Sequence, residues 1–223
     1  MVDENYKYSG VDLNFSENLT EKILSIVGKN NELEDLGFFS SSLKINNSIS
    51  ISGSVDGVGT KSKIFKYYGD YSNLGHDIVN HCVNDILPSG AKPFMFLDYL
   101  AFSEIEEEKI LDVVRGISEA CKDMSCILAG GETAQMPDIY KKDDLEVVGF
   151  ILGIVEKSKV PKINTIKEGD VMIGLPSNGL HTNGYSLVRK IFNFESNVGE
   201  LNKICLLYTS PSPRDATLSA KPA

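Results

Sequence analysis

Apolar positions along the chain fall into short periodic runs, each closed by a turn signal. Leu19, Ile23, Ile26 and Val27 recur at helical spacing behind Asn14 and Glu17, which stand as the ends of a capping box. Ile49, Ile51, Gly53 and Val55 alternate with polar residues, the period of a half-buried strand. That strand runs directly into Asp56-Gly57-Val58-Gly59-Thr60-Lys61. Asn73 stands where it would cap a second helix, with Leu74, Ile78, Cys82, Val83 and Ile86 as its apolar positions and Pro88 and Gly90 marking its end.

Residues 93–102 are apolar and aromatic except for Asp98, which predicts a buried strand. Ser103 and Glu106 form the next capping box, and the helix behind them presents Ile105, Ile110, Val113, Val114, Ile117 and Cys121. Burying such side chains contributes roughly 1.5–3 kcal/mol each, so this helix is scaffold. A short strand over 126–129 leads into a turn at Gly130-Gly131-Glu132-Thr133, and a further strand covers 145–155, interrupted by Gly149 and Gly153. The lysine-rich stretch 156–169, with Pro161, reads as a linker. A strand at 171–175 and a helix at 185–192 then open a second region. Residues 208–223 hold three prolines and no apolar period, so they cannot build a core. They read as a natural disordered tail or as foreign sequence on a truncated chain. The second is favoured, because the region begun at Asp170 stops before enough elements exist to close it.

With 223 residues, 42% of them hydrophobic, the chain can hold one complete domain and part of another. No apolar run approaches a membrane span and the first residues are polar and acidic, which predicts a cytoplasmic protein without a membrane partner. The formal charge of -9 sets up a field that repels nucleic acid. Anionic substrates would therefore have to be met locally, by lysine, backbone N–H groups or a metal. Cys82, Cys121, Cys126 and Cys205 form no CxxC pair and suggest no oxidising compartment.

The segment ending in DGVGTK carries the most chemistry. Gly57 and Gly59 let backbone approach a phosphate, Lys61 adds a mobile positive charge, and Asp56 at the strand end is placed to hold a cation. The spacing differs from a P-loop, and a tight glycine turn with a solvated lysine is the competing reading. Asp85 follows Asn84 near the end of the second helix, while His81 and Asp77 lie one and two turns earlier on about the same face and read as a polar face with internal pairs. Glu132 follows a Gly-Gly turn at a strand end, where α/β folds commonly place ligands. Were Asp56, Asp85 and Glu132 to converge, their repulsion, roughly 4 kcal/mol per pair at 4 Å, would demand a cation, and oxygen-only ligands favour magnesium or calcium. In the segment 177–187, His181 and Asn183 suit recognition or proton handling on a polar substrate; a solvated loop histidine is the alternative.

Taken together, YSGVDL, SGSVDGVGTK, CVNDIL, SGAKPFMFLDYLA, GGETAQMP and GLHTNGYSLVRK occur in the order of the phosphoribosylformylglycinamidine cyclo-ligase family, which the chain resembles from Tyr8 to Phe192. The resemblance implies an α/β (α+β) architecture: an N-terminal ATP-binding and dimerisation domain over 1–157 with a mixed sheet and flanking helices, a linker at 158–169, the truncated start of a C-terminal α/β domain at 170–205, and a tail at 206–223. It implies ATP-dependent ring closure of formylglycinamidine ribonucleotide to aminoimidazole ribonucleotide through phosphorylation of the formyl amide oxygen. Magnesium is the implied ion, and a homodimer that joins its N-terminal sheets is the implied assembly. By motif, Asp56, Asp85 and Glu132 would serve the metal. Asp56, Gly57, Gly59, Thr60, Lys61, Gly130, Gly131 and Glu132 would bind the nucleotide. His181 and Asn183 would meet the substrate, with Lys61 and His181 in catalytic roles. A non-catalytic Mg-ATP-binding fragment and another ATP-using enzyme of the same superfamily are the alternatives. No cysteine stands near the N-terminus as a selenophosphate synthetase would require, and a thiamine-phosphate kinase would lack HTNGYSL.

Overall fold

The computed structural model describes residues 6–27, 33–34, 39–160, 165–174, 176–177 and 179–193. Residues 206–223 and Leu175 lie outside them. The elements in chain order are α1 (Leu13–Val27), β1 (Leu33–Glu34), β2 (Ser41–Lys44), β3 (Ile49–Gly57), α2 (Ser62–Tyr68), α3 (Ser72–Ile86), β4 (Lys92–Phe102), α4 (Glu107–Asp123), β5 (Ile127–Gln135), β6 (Leu145–Glu156) and α5 (Tyr185–Phe192). The strands form one six-stranded sheet in the order β1-β2-β3-β6-β4-β5. Every neighbouring pair is antiparallel except β4 and β5, which run parallel. The sheet is therefore mixed, as the resemblance implies. Among the described residues no helix is long and apolar enough to cross a membrane.

Helices α3 and α4 pack on one face of this sheet. Phe96 and Leu100 of β4 and Val147 and Ile151 of β6 point into that layer and meet Ile78, Val83, Val113 and Ile117 in a continuous buried core. Glycines set the spacing. A Cβ on Gly149 would stand 2.5 Å from the Phe96 ring and one on Gly153 would stand 2.7 Å from Ile86, so bare backbone at both lets α3 settle onto β6. Where the two helices cross, a Cβ on Gly75 would collide with the Val113 carbonyl and one on Gly116 with the Ser72 carbonyl. The helices thus touch backbone to backbone.

The opposite face of the sheet is apolar and open. Ile51, Leu152 and Ile154 line one shallow groove of about 160 Å³ together with Phe94, and Val55 and Phe150 line another of about 300 Å³. Val55 is 65% exposed and Phe94 47%, so the aromatic strand expected to be buried is covered on its helix face alone. Helix α1 likewise leaves Leu19, Ile23 and Ile26 exposed.

Local chemistry departs from the expected caps. Asp12, not Asn14, caps α1, accepting from the Phe15 N–H at 3.0 Å. Asn73 lies inside the first turn of α3 and bonds Asp70, while α4 begins at Glu107 with no side-chain cap. The C-terminus of α4 closes with bonds from the Cys126 N–H to the Cys121 carbonyl (2.8 Å) and from the Ser125 N–H to the Lys122 carbonyl (3.0 Å), with Ser125 left-handed at φ 54°. This is a Schellman ending with serine where glycine is usual. Gly130 to Thr133, expected as a turn, instead continue β5, with Gly130 at φ 147° beside a register shift between Phe96 and Leu97. Residues 171–174 form no strand, and Val171, Met172 and Ile173 stand exposed. A strand needs a partner for its backbone groups, and none of the six sheet strands supplies one there.

Two stability effects follow. Gly116→Ala forces the crossing helices apart and is expected to cost about 1–3 kcal/mol in urea unfolding. Ser125→Gly relieves the left-handed backbone and is expected to raise stability by about 0.5–1 kcal/mol in the same measurement.

Candidate functional site

The site is built on a polar contact between a helix and a strand. Every second residue of β3 turns toward α3, which puts Ser52, Ser54 and Asp56 on the helix face. On α3 and its 3₁₀ extension, Asp77, His81, Asp85 and Ser89 recur every four residues and so form one stripe. The two rows pair rung by rung. His81 Nε2 meets Asp56 Oδ2 at 2.6 Å, the Ser54 hydroxyl donates to Asp85 Oδ2 at 2.7 Å, and the Ser89 hydroxyl reaches Ser52 Oγ at 3.3 Å. One turn further up, Asp77 Oδ2 lies 2.5 Å from Lys61 Nζ, with both side chains fully buried. Four helical residues rise about 6.0 Å and two strand residues about 6.7 Å, which is why one row can track the other.

Asp56 ends the strand, and the chain then turns through Gly57 to Lys61. The Gly57 N–H donates to Asp56 Oδ1 at 2.7 Å, and the Val58 N–H to the Val147 carbonyl at 2.9 Å, which ties the loop to β6. Gly59 sits at φ 63°, a left-handed position suited to glycine, and Gly59 and Thr60 are exposed. The carboxylate of Asp56 can only accept, so His81 carries a proton on Nε2, and its Nδ1 bonds the Thr182 hydroxyl at 2.7 Å. A single imidazole thus joins the DGVGTK strand to the HTNGYSL segment. Tyr185 of that segment packs its ring 5.4 Å from Lys61 Nζ and donates its hydroxyl to the Leu180 carbonyl at 3.0 Å.

These contacts revise several sequence readings. Lys61 is not a mobile surface charge but a buried one held by Asp77; burial pulls its pKa down against the raising influence of that carboxylate. Asp77 and His81 reach beyond their helix, Asp77 to the buried Lys61 and His81 to the partly exposed Asp56. Asp56 and Asp85 lie on adjacent rungs of one face. Glu132 does not join them: it pairs with Tyr99 in the register that places it on the open face, one residue beyond the row Asp56–Gly149–Asp98–Gly131. Three inter-strand spacings, about 14 Å, separate the strands carrying Asp56 and Glu132. Among the described residues no three His, Cys, Asp or Glu side chains converge as a metal cage. Gly130 and Gly131 lie in the edge strand, His181 is half-buried and Asn183 is exposed.

The sequence did not single out Thr182 and Tyr185, which join this network, or Asp98, which lies on the same face of the sheet. Asp98 projects from mid-sheet into the helix layer, and burial pushes its carboxyl above the usual range. A Cβ on Gly131 would stand 2.5 Å from Asp98 Oδ1, so the second glycine of the pair makes room for this acid. A lone acid in an apolar strand was the available signal. Cys82 lies beside the same stripe, and burial lifts its thiol to about 12, so it packs rather than reacts.

Residues 40–155 match the family described as AIR synthase related protein, N-terminal domain. The chain is 46% identical over 198 residues to a phosphoribosylformylglycinamidine cyclo-ligase from Thermoanaerobacter pseudethanolicus, covering 86% of this chain and 59% of that one. It is 45% identical over 206 residues to a protein of the same name from Caldicellulosiruptor bescii, covering 89% and 60%. It thus spans about 60% of the length of these curated relatives. Thiamine monophosphate kinase from Aquifex aeolicus is a more distant likeness, at 16% identity and a TM-score of 0.47 over 62% of this chain and 42% of that one. By its match over residues 40–155, the chain belongs to the AIR-synthase-related family.

Proposed function

We propose that this chain carries the nucleotide-binding part of a cytoplasmic cyclo-ligase that uses ATP to close formylglycinamidine ribonucleotide to aminoimidazole ribonucleotide. The observation that carries the reading is the Asp56–His81–Thr182 chain, which brings the two motif segments, DGVGTK and HTNGYSL, together at one side chain of α3. Phosphorylating an amide oxygen and displacing phosphate with a neighbouring nitrogen asks the protein for positioning and charge stabilisation, not for a nucleophilic side chain. Magnesium usually takes one or two protein carboxylates and fills its shell with phosphate oxygens and water. Asp56, whose side chain is 44% exposed, and Asp85 on the next rung suit that arrangement better than a closed protein cage. Gly59 and Thr60 are the loop groups open to phosphate. Lys61 supports the loop from beneath, and His181 and Asn183 belong to the substrate side.

Equilibrium titration of the chain with a magnesium complex of a non-hydrolysable ATP analogue tests the reading. Binding is expected, and Asp56→Asn is expected to weaken it at least tenfold with the far-ultraviolet circular dichroism unchanged; equal affinity in both proteins rejects the assignment. Substrate-dependent ADP release separates the ligase from a non-catalytic Mg-ATP-binding fragment, which would bind and never turn over.

The open apolar face supports a homodimer formed sheet to sheet. Contiguous exposed apolar surface of this kind is uncommon on monomers, and Glu132 faces the same way, so pairing would bring it toward a composite site. Light scattering is expected to give twice the monomer mass at micromolar concentration. Phe150→Asp with Leu152→Asp is expected to give monomers; a wild-type monomer would reject the assembly.

A further inference from the structure

A second cleft lies where α2 leaves the DGVGTK turn and α5 leaves the HTNG turn. It has a volume of about 500 Å³ and is lined by Lys63 and Lys66 from α2, Arg189 and Lys190 from α5, and Asp144. Four cations against one carboxylate is a local reversal in a chain whose net charge is -9. The single acid is spoken for: Asp144 Oδ2 holds Lys63 Nζ at 2.6 Å, which fixes one wall of the cleft. Lys190 rests its ammonium 5.2 Å from the centre of the Tyr8 ring, a cation–π contact. Lys66 and Arg189 are exposed and have no carboxylate partner among the described residues.

We propose that this cleft is a phosphate subsite that takes the phosphate monoester of a small-molecule substrate. A monoester carries close to two negative charges at neutral pH and offers three acceptor oxygens. The guanidinium fork of Arg189 matches two of them, and Lys66 on the facing helix supplies a point charge from the other side. The cleft adjoins the two turns that build the site described above, so a phosphate held here places the rest of its molecule beside them. A sugar phosphate and the terminal phosphate of a nucleotide share this chemistry. The inference deepens the proposed function by giving it a phosphate anchor, but it rests on that reading only for the identity of the molecule.

The test titrates the 223-residue chain by calorimetry at low salt with ribose 5-phosphate and, separately, with the magnesium complex of a non-hydrolysable ATP analogue. The proteins are wild type, the cleft variant Lys66→Gln/Arg189→Gln, and Lys92→Gln/Lys122→Gln, which removes the same charge elsewhere. Both cleft positions are exposed, and unchanged melting temperatures confirm folding. Loss of two charge-assisted contacts is expected to weaken ribose 5-phosphate by roughly tenfold or more in the cleft variant and less than twofold in the control. If the nucleotide analogue weakens instead, the subsite stands and the nucleotide is its source. If neither ligand weakens beyond the control, or wild type binds neither, the subsite is rejected. Ribose 5-phosphate bound through the cleft by a chain that ignores the nucleotide would sink the proposed function and leave the subsite standing.

Discussion

One hydrogen-bonded contact organises the rest of the molecule: the stripe Asp77, His81, Asp85 and Ser89 on α3 against Lys61, Asp56, Ser54 and Ser52. A buried polar group without a partner costs about 1–3 kcal/mol, so each rung specifies its opposite number. An apolar helix can slide on a sheet and lose little; this one cannot. The registry of α3 on β3 therefore fixes where the glycine loop begins and which side chains stand beneath it.

The same contact divides the sheet. On the helix side, β3 is polar while β6 and, apart from Asp98, β4 are apolar, so α3 is held by hydrogen bonds along one edge and by packing along the other. Gly149 and Gly153 let it sink onto β6, and the bare crossing at Gly75 and Gly116 brings α4 down with it. On the far side Val55, Phe94 and Phe150 stand exposed, with no described residue covering them. The candidate site and the open apolar surface thus lie on opposite faces of one sheet, and Glu132 sits on the open face.

Much of this was open to reading from periodicity alone. The alternation through Ile49–Val55, the helical runs behind Leu74 and Ile110, and the strand from Leu145 gave elements close to those found, because burial on one face leaves a clear period. The caps were misassigned, since several nearby side chains can serve and local geometry chooses among them. Gly130-Gly131 was read as a turn because glycine signals turns, yet its reason is tertiary: Asp98 needs the space. The four-residue spacing from Asp77 to Ser89 was visible, but a sequence cannot say whether such a stripe pairs within its helix or across to a strand. That Glu132 stands apart from Asp56 and Asp85 within the chain was hidden for the same cause, because strand order decides which face and how many strands lie between two acids.

The rungs also carry a built-in limit. Two residues of strand advance about 0.7 Å further than four residues of helix, so the two scales slip past each other like a vernier. The last rung is also the longest, 3.3 Å at Ser89 against 2.6 Å at His81 and 2.7 Å at Asp85. Beyond Ser89 the helix turns away at Gly90, whose φ is 77°. A longer coincidence of helix and strand would have required either to bend, so α3 with its 3₁₀ extension reads three strand positions. Coincidence is closest at the end that holds Asp56, which means the fold spends its best alignment where the loop begins.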